Sequence, residues 1–468
     1  MAVRDLIDWL YALRTGRDRF GPRRSARALR RRLALVPLPA AAWLLPAAAW
    51  LLLAGPAAAD APDPSGQSTP PPSTTQQAAA QAPSWFDVSR LPFIPVPEVG
   101  VDPDSGVTTG ILPTWLHTND DHQITRIIAP DLLYNPYFGY GGNFRVFAYP
   151  SADEQWSVVA GAKERVERTF DGEYQIGRLR DHRWSIQASL IYDRSGVPRF
   201  YGIGNESALS DETNYTDDQE LAQIQAGFNL NHTWQLLYTG RVQHVDVQHG
   251  TLSGVADIYT LFPNLRGLGN SDLLLDRGSI IYDTRDDETI TRHGSQLVLY
   301  GGLASRDGIL NDSLYSEAGL DGRTFIALDD DTTLAAHAAV RYMPSIDHVD
   351  FWMLSCLGGG ESDIGGEQLL RGFGAGRFCD RDLYSGTVEL RHKVLGFDAE
   401  ASHIDIEVTP FVDLGRVFEH TYTDPLSNLH KVVGVGFRGI APPSVVGYVD
   451  VGYGTEGVAV FTGINYPF

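Results

Sequence analysis

The chain has 468 residues, a formal net charge of −21 and 43% hydrophobic residues. So acidic a chain argues against a nucleic-acid partner, which needs clustered Lys and Arg against phosphate. Its 2 cysteines exclude a disulfide scaffold or a four-ligand zinc site, and no His or acid spacing points to a metal, a cofactor or catalysis.

Charge is uneven along the chain. Residues 1–59 hold ten Arg, no Lys and three acids, Asp5, Asp8 and Asp18, so the remainder carries 27 bases against 55 acids. Arg30-Arg31-Arg32 precede an apolar stretch from Leu33 to Ala54, then Gly55-Pro56 and Ala57-Ala58-Ala59. That order is a basic n-region, an h-region and a small-residue cleavage site, so residues 1–59 are expected to be a signal peptide with an N-terminal extension. The stretch is long enough for an uncleaved anchor, but Pro37, Pro39 and Pro46 and the Ala-x-Ala end favour cleavage after Ala59. Residues 60–83 are rich in Pro, Ser, Thr, Gln and Ala and cannot bury enough apolar surface to fold. They read as a disordered linker, and residues 84–104 as a short lead-in.

After residue 100 no run of 18 apolar residues occurs, so any membrane span must be a strand. The remainder alternates with period two. Trp184, Ile186, Ala188, Leu190 and Tyr192 share one face of their segment, and the opposite face is largely polar. Strands are expected at 105–117, 123–134, 137–149, 155–170, 183–193, 219–230, 234–247, 272–283, 294–304, 313–327, 332–343, 384–395, 404–417, 431–440, 445–454 and 457–468. Sixteen tilted strands of this length, apolar outside and polar inside, predict an all-β fold: an antiparallel transmembrane β-barrel over residues 105–468. A secreted β-sandwich or propeller is the alternative, but the chain shows no blade-length repeat.

The last segment, Gly457 to Phe468, alternates to its final residue, with Val458, Val460, Thr462, Ile464, Tyr466 and Phe468 on one face. A terminal aromatic with Tyr two places before it resembles the sorting signal of outer-membrane proteins. Tyr466 and Phe468 are its candidate residues.

The longest segment outside the strands is 344–383. It holds Leu357-Gly358-Gly359-Gly360-Glu361 and Leu369-Leu370-Arg371-Gly372-Phe373, followed by the strand segment Val388-Glu389-Leu390-Arg391. This order resembles loop six of the BamA/TamA (bacterial surface antigen) outer-membrane superfamily. Phe200 to Asn205 looks like that family's third extracellular loop, Asp283-Thr284-Arg285-Asp286 like its turn before strand nine, and Phe411 to Val417 like its strand thirteen. The resemblance covers roughly 95–468, without the family's periplasmic POTRA repeats.

The resemblance implies a loop six folded inward. Arg371 then enters a partly desolvated lumen and needs a carboxylate. The family's partner lies on strand thirteen, which offers Asp413; Glu389 is a second candidate. Gly372 and Gly374 let the backbone beside Arg371 turn sharply, and Phe373 completes the motif. Asp413 alternates with Val412 and Leu414, which puts it on the lumen side. Cys356 and Cys379 both lie in this loop, and the oxidising compartment favours a bridge between them.

The expected location is the bacterial outer membrane, reached through the periplasm, with lipid and lipopolysaccharide as neighbours. The resemblance implies a factor that assists insertion or transport of protein or lipid, with a client or periplasmic partner. The alternative is a plugged pore or receptor for small solutes. A lipid-active enzyme is the weakest reading, since Ser402, His392, His403 and Asp405 form no nucleophile elbow or triad spacing. The acidic loop runs are more simply solvated turns than cation sites.

Overall fold

Alternating inward and outward side chains require a wall with two unlike faces, and the chain builds one by pairing each strand with the next. In the computed structural model the described residues are 94–119, 124–306, 313–345, 349–359, 369–399, 402–419, 427–441, 445–464 and 466–468. The expected signal peptide, the linker and residues 84–93 lie outside them.

The wall begins with β1 (Ile94–Asp102), β2 (Gly106–Thr118) and an interrupted β3 (Ile124–Ile128 with Leu132–Asn135). It continues through β4 (Gly139–Ser151), β5 (Glu154–Lys163), β6 (Arg168–Ile176), β7 (Trp184–Ser195), β8 (Thr213–Asn229) and β9 (Trp234–His249). Then come β10 (Gly269–Asp283), β11 (Gly294–Ser305), β12 (Ser313–Ala327), β13 (Thr332–Ser345) and β14 (Asp382–Ala399). It closes with β15 (Ser402–Phe418), β16 (His430–Ala441), β17 (Val445–Gly454) and β18 (Gly457–Ile464). Every consecutive pair is antiparallel.

The outward faces are apolar along the wall: Trp184, Leu190, Leu236, Leu299, Val340, Val388, Val412 and Phe437 are all exposed. Aromatic pairs mark one rim, with Trp184 and Phe228 ring centroids 5.0 Å apart and Trp234 and Tyr282 4.9 Å apart. Among the described residues no helix is long and apolar enough to cross a membrane; the strands form the crossing surface.

The wall departs from the sequence reading in its strand count and at several boundaries. The described wall has eighteen strands rather than sixteen, counting β3 once. Part of the lead-in, read as lying outside the strands, is β1, which holds Pro95 and Pro97. They are tolerated because, among the described residues, β1 has a backbone ladder only with β2. The run 155–170 splits into β5 and β6 around Glu164–Glu167, a turn without Gly, Pro or Asn, and β6 runs on through Asp171-Gly172. The last strand stops at Ile464 instead of running to Phe468.

β1 and β18 lie side by side without a backbone ladder among the described residues. The Thr462 hydroxyl bridges them, accepting from the Val101 N–H at 2.8 Å and donating to the Val101 carbonyl at 3.3 Å. Inside the wall, the segment between β13 and β14 packs Leu357, Leu369, Leu370, Phe373 and Phe378 against Tyr300, Phe411 and Val432.

Candidate functional site

The arginine of the Leu-Arg-Gly-Phe segment lies at the centre of the filled part of the lumen. Asp413 on β15 and Glu389 on β14 face inward because their neighbours face out: Val412, Leu414 and Val388 are exposed, and both acids are buried. Arg371 meets them with no exposed side-chain surface. Its Nη2 donates to Asp413 Oδ1 at 2.9 Å, and its Nε and backbone N–H donate to Oδ2 at 3.1 and 3.0 Å. Its Nη1 donates to Glu389 Oε2 at 2.9 Å and to Asp450 Oδ2 at 3.1 Å. The guanidinium carbon sits 3.6 Å from the Phe411 ring centroid. Four charge-assisted bonds from the guanidinium and a stacked face satisfy a cation that burial would otherwise penalise severely.

The carboxylates are held in turn. Arg391 Nε donates to Glu389 Oε1 at 2.7 Å, and Arg438 donates to both oxygens of Asp450. Three guanidinium groups therefore alternate with three carboxylates across β14 to β17.

Glycines on the facing wall bring the backbones together. A Cβ at Gly452 would overlap the Arg371 carbonyl, and one at Gly454 would meet the Phe373 ring. Gly372 and Gly374 supply closeness rather than a sharp turn. Neither has a positive φ, but a Cβ there would meet Val432 and the Asp104 carboxylate respectively. Among the described residues, the positive-φ glycines of this loop are Gly358 and Gly376.

The loop carries a short hairpin, Ser355–Leu357 against Phe378–Asp380, with Cys356 opposite Cys379 and their sulfurs bonded. Phe373 is buried against Phe378, ring centroids 5.1 Å apart. At the rim, Arg377 donates to Glu456 Oε2 at 2.9 Å and to the Ser207 carbonyl at 2.8 Å, and stacks 4.4 Å from the Tyr201 ring. The Ala375 N–H donates to Asp104 Oδ2 at 2.6 Å. Loop six thus grips the first hairpin turn at Asp104 and the last at Glu456. The Phe200 to Asn205 segment crosses above it, with Gly204 N–H donating to the Cys379 carbonyl at 2.8 Å and Val417 N–H to Asn205 Oδ1 at 3.1 Å.

Tyr466 and Phe468, read as a sorting signal, lie in the lumen beside Arg391. Sequence reasoning also missed Asp450, Arg438 and the Arg377 clasp. Asp450 and Arg438 carried a usable signal, since Asp450 alternates with Val449 and Val451 as Asp413 does with Val412. Arg377 carried none, because its partners come from two distant turns.

Comparison with known families matches residues 154–444 to the Omp85 superfamily domain. Similar solved structures include BamA from Haemophilus ducreyi lacking POTRA domains 1–3. It is 12% identical with a TM-score of 0.47, over 76% of this chain and 74% of that one. CdiB from Escherichia coli is 13% identical with a TM-score of 0.42, over 78% of this chain and 61% of that one. CdiB from Acinetobacter baumannii is 13% identical with a TM-score of 0.43, over 76% and 64%. The chain spans less than two thirds of either CdiB chain. No curated protein matches.

Proposed function

The chain belongs to the Omp85 superfamily, bacterial outer-membrane barrels with a role in protein insertion or transport, and from that premise we propose that it assists insertion or transport of protein or lipid through the seam between β1 and β18. One observation carries this reading: among the described residues, that seam is the junction of the wall without a backbone ladder, bridged instead by Thr462. Parting two strands costs least where few hydrogen bonds join them. Unpaired edges on both sides also offer a template for an incoming strand.

The lumen supports the seam reading over a solute pore. Loop six fills the half of it beside β14 to β17 and is anchored there by five hydrogen bonds from Arg371, so a wide pore would first have to release that anchor. Clients and periplasmic partners belong to the same proposal, and no catalytic step is needed.

The test replaces Thr462 with a photo-crosslinking amino acid and fixes it to β1 in cells. The locked seam should impair the assembly or lipid profile of the outer membrane while the barrel stays folded. An unchanged profile with a fully locked seam overturns the proposal. Loss of one solute's uptake, with the profile intact, favours the plugged pore.

A further inference from the structure

Period-two alternation continues to Phe468, yet the described wall ends with Ile464 opposite Gly447 of β17. Pro467 explains part of this departure, because it has no N–H to give a ladder. Tyr466 and Phe468 turn inward and are 7% and 8% exposed.

Their surroundings form a built site. The Phe468 ring stacks on His337 of β13, with centroids 5.2 Å apart and planes at 16°, and stands 6.4 Å from Phe325 of β12. Arg391 of β14 lies between the two aromatics, its guanidinium carbon 3.7 Å from the Tyr466 centroid and 5.3 Å from that of Phe468. The same guanidinium reaches the Phe468 carbonyl at 3.5 Å. The Tyr466 hydroxyl donates to Glu407 of β15 at 2.9 Å. Ile440 and Val446 pack on Tyr466, with Ile290 against them, and Ala335 packs beside Phe468.

We propose that this end of the lumen is a peptide-binding site for an aromatic–x–aromatic segment, with Arg391 as the cation shared by both rings and the chain's own Tyr466-Pro467-Phe468 as its resident ligand. The segment has left the ladder, so side-chain interactions fix its place. The wall supplies a planar cation, a hydroxyl acceptor and an apolar slot, and each is matched by one feature of the segment. Docking covers the β12 to β17 side of the lumen at the end where β18 finishes. It also places the residues read as a sorting signal where no outside factor can reach them, so that signal is available only before docking. Arg391 shares Glu389 with Arg371, which links the docked segment to the loop-six anchor. The inference rests on the docking geometry and not on the transport proposal.

The test uses barrel refolded from denaturant into detergent, which bypasses export and sorting. The probe is a fluorescent peptide of sequence Gly-Ile-Asn-Tyr-Pro-Phe, followed by anisotropy. A variant ending at Ile464 should bind it saturably, and the full chain about tenfold or more weakly because its site is filled. Within the truncated variant, Arg391→Ala should weaken binding about tenfold or more, as removal of a desolvated cation–π partner does. His337→Ala, which leaves the arginine network intact, should weaken it severalfold. A peptide with Ala at both ring positions should not bind. Should the truncated chain fail to fold, as judged by heat-dependent migration in SDS, the full-length Tyr466→Ala/Phe468→Ala variant takes its place. A folded, vacated barrel with no saturable binding, equal binding by the full chain, or indifference to both wall substitutions overturns the inference.

Discussion

Two buried arginines face the lumen from opposite sides of the barrel and meet different surroundings. Arg371 reaches three carboxylates, and two of them, Glu389 and Asp450, are shared with Arg391 and Arg438. Arg145 on β4 pairs with Asp131, with Glu98 4.0 Å away. It adjoins a cavity of about 270 Å³ lined by Glu98, Asp102, Lys163, Glu167 and Asp193 among others. Nearby, Asp171 on β6 and Asp217 on β8 each keep a buried Oδ1 without a hydrogen-bond partner among the described residues. A returning loop brings a cation and apolar side chains to one half of the lumen. The other half keeps a cavity among its acids, so a charge change should matter far more beside Arg371 than at an acid near that cavity with no donor of its own.

The largest effect should come from the filled half. Arg371→Ala or Asp413→Ala leaves buried charge without its partner, at a cost of about 3–5 kcal/mol. Each should release loop six to protease while the barrel still migrates as folded before boiling. Because the two act as one unit, the double variant should lose less than the sum of the singles. Strict additivity in urea unfolding would separate them. Next in size is Gly452→Val, which places a side chain where the Arg371 carbonyl sits and should cost about 1–3 kcal/mol by overpacking. Wild-type protease resistance of loop six in that variant would mean that the close approach is dispensable.

The same comparison shows what the sequence could carry. The all-β wall and the inward turn of Asp413 were legible, because alternation with exposed Val412 and Leu414 is a local property. Asp450 and Arg438 followed the same rule and were overlooked only because no motif pointed to them. The Glu164–Glu167 turn was not legible, since its residues are also tolerated in strands. Nor was the inward docking of Phe468: alternation assigns a face only while the ladder lasts, and here it ends at Ile464. Which residues of loop six meet Asp104 or Glu456 depends on long-range placement that no spacing encodes.

The open half should respond weakly. Asp171→Asn neutralises an oxygen that has no donor, so urea unfolding should shift by only about 1 kcal/mol, toward greater stability. A loss as large as that of Asp413→Ala would show that the acids of this side are held by partners as firmly as those around Arg371.

The smallest effect lies at the rim, where the two halves touch. Asp104, in the turn between β1 and β2, accepts from the Ala375 N–H and lends its carbonyl to Arg199 at 2.9 Å. Burial pushes its carboxyl up from 3.8 to about 7, and the neighbouring Asp102 adds to the rise against the pull of Ala375 N–H and Arg199. The folded chain therefore holds a proton that the unfolded chain has already released above about pH 4. Its contribution to stability is complete below the unfolded value and is lost as pH climbs to about 7. The hold of loop six on the first hairpin should thus be firmest in mild acid and slacken toward neutrality. Asp104→Asn removes the titration and should flatten that part of the pH profile, while Asp413→Ala should lower stability across the whole range and keep the slope. Protease nicking of loop six, followed from about pH 4 to about pH 7, measures both. Equal slopes for the wild type and Asp104→Asn would assign the pH response to another group.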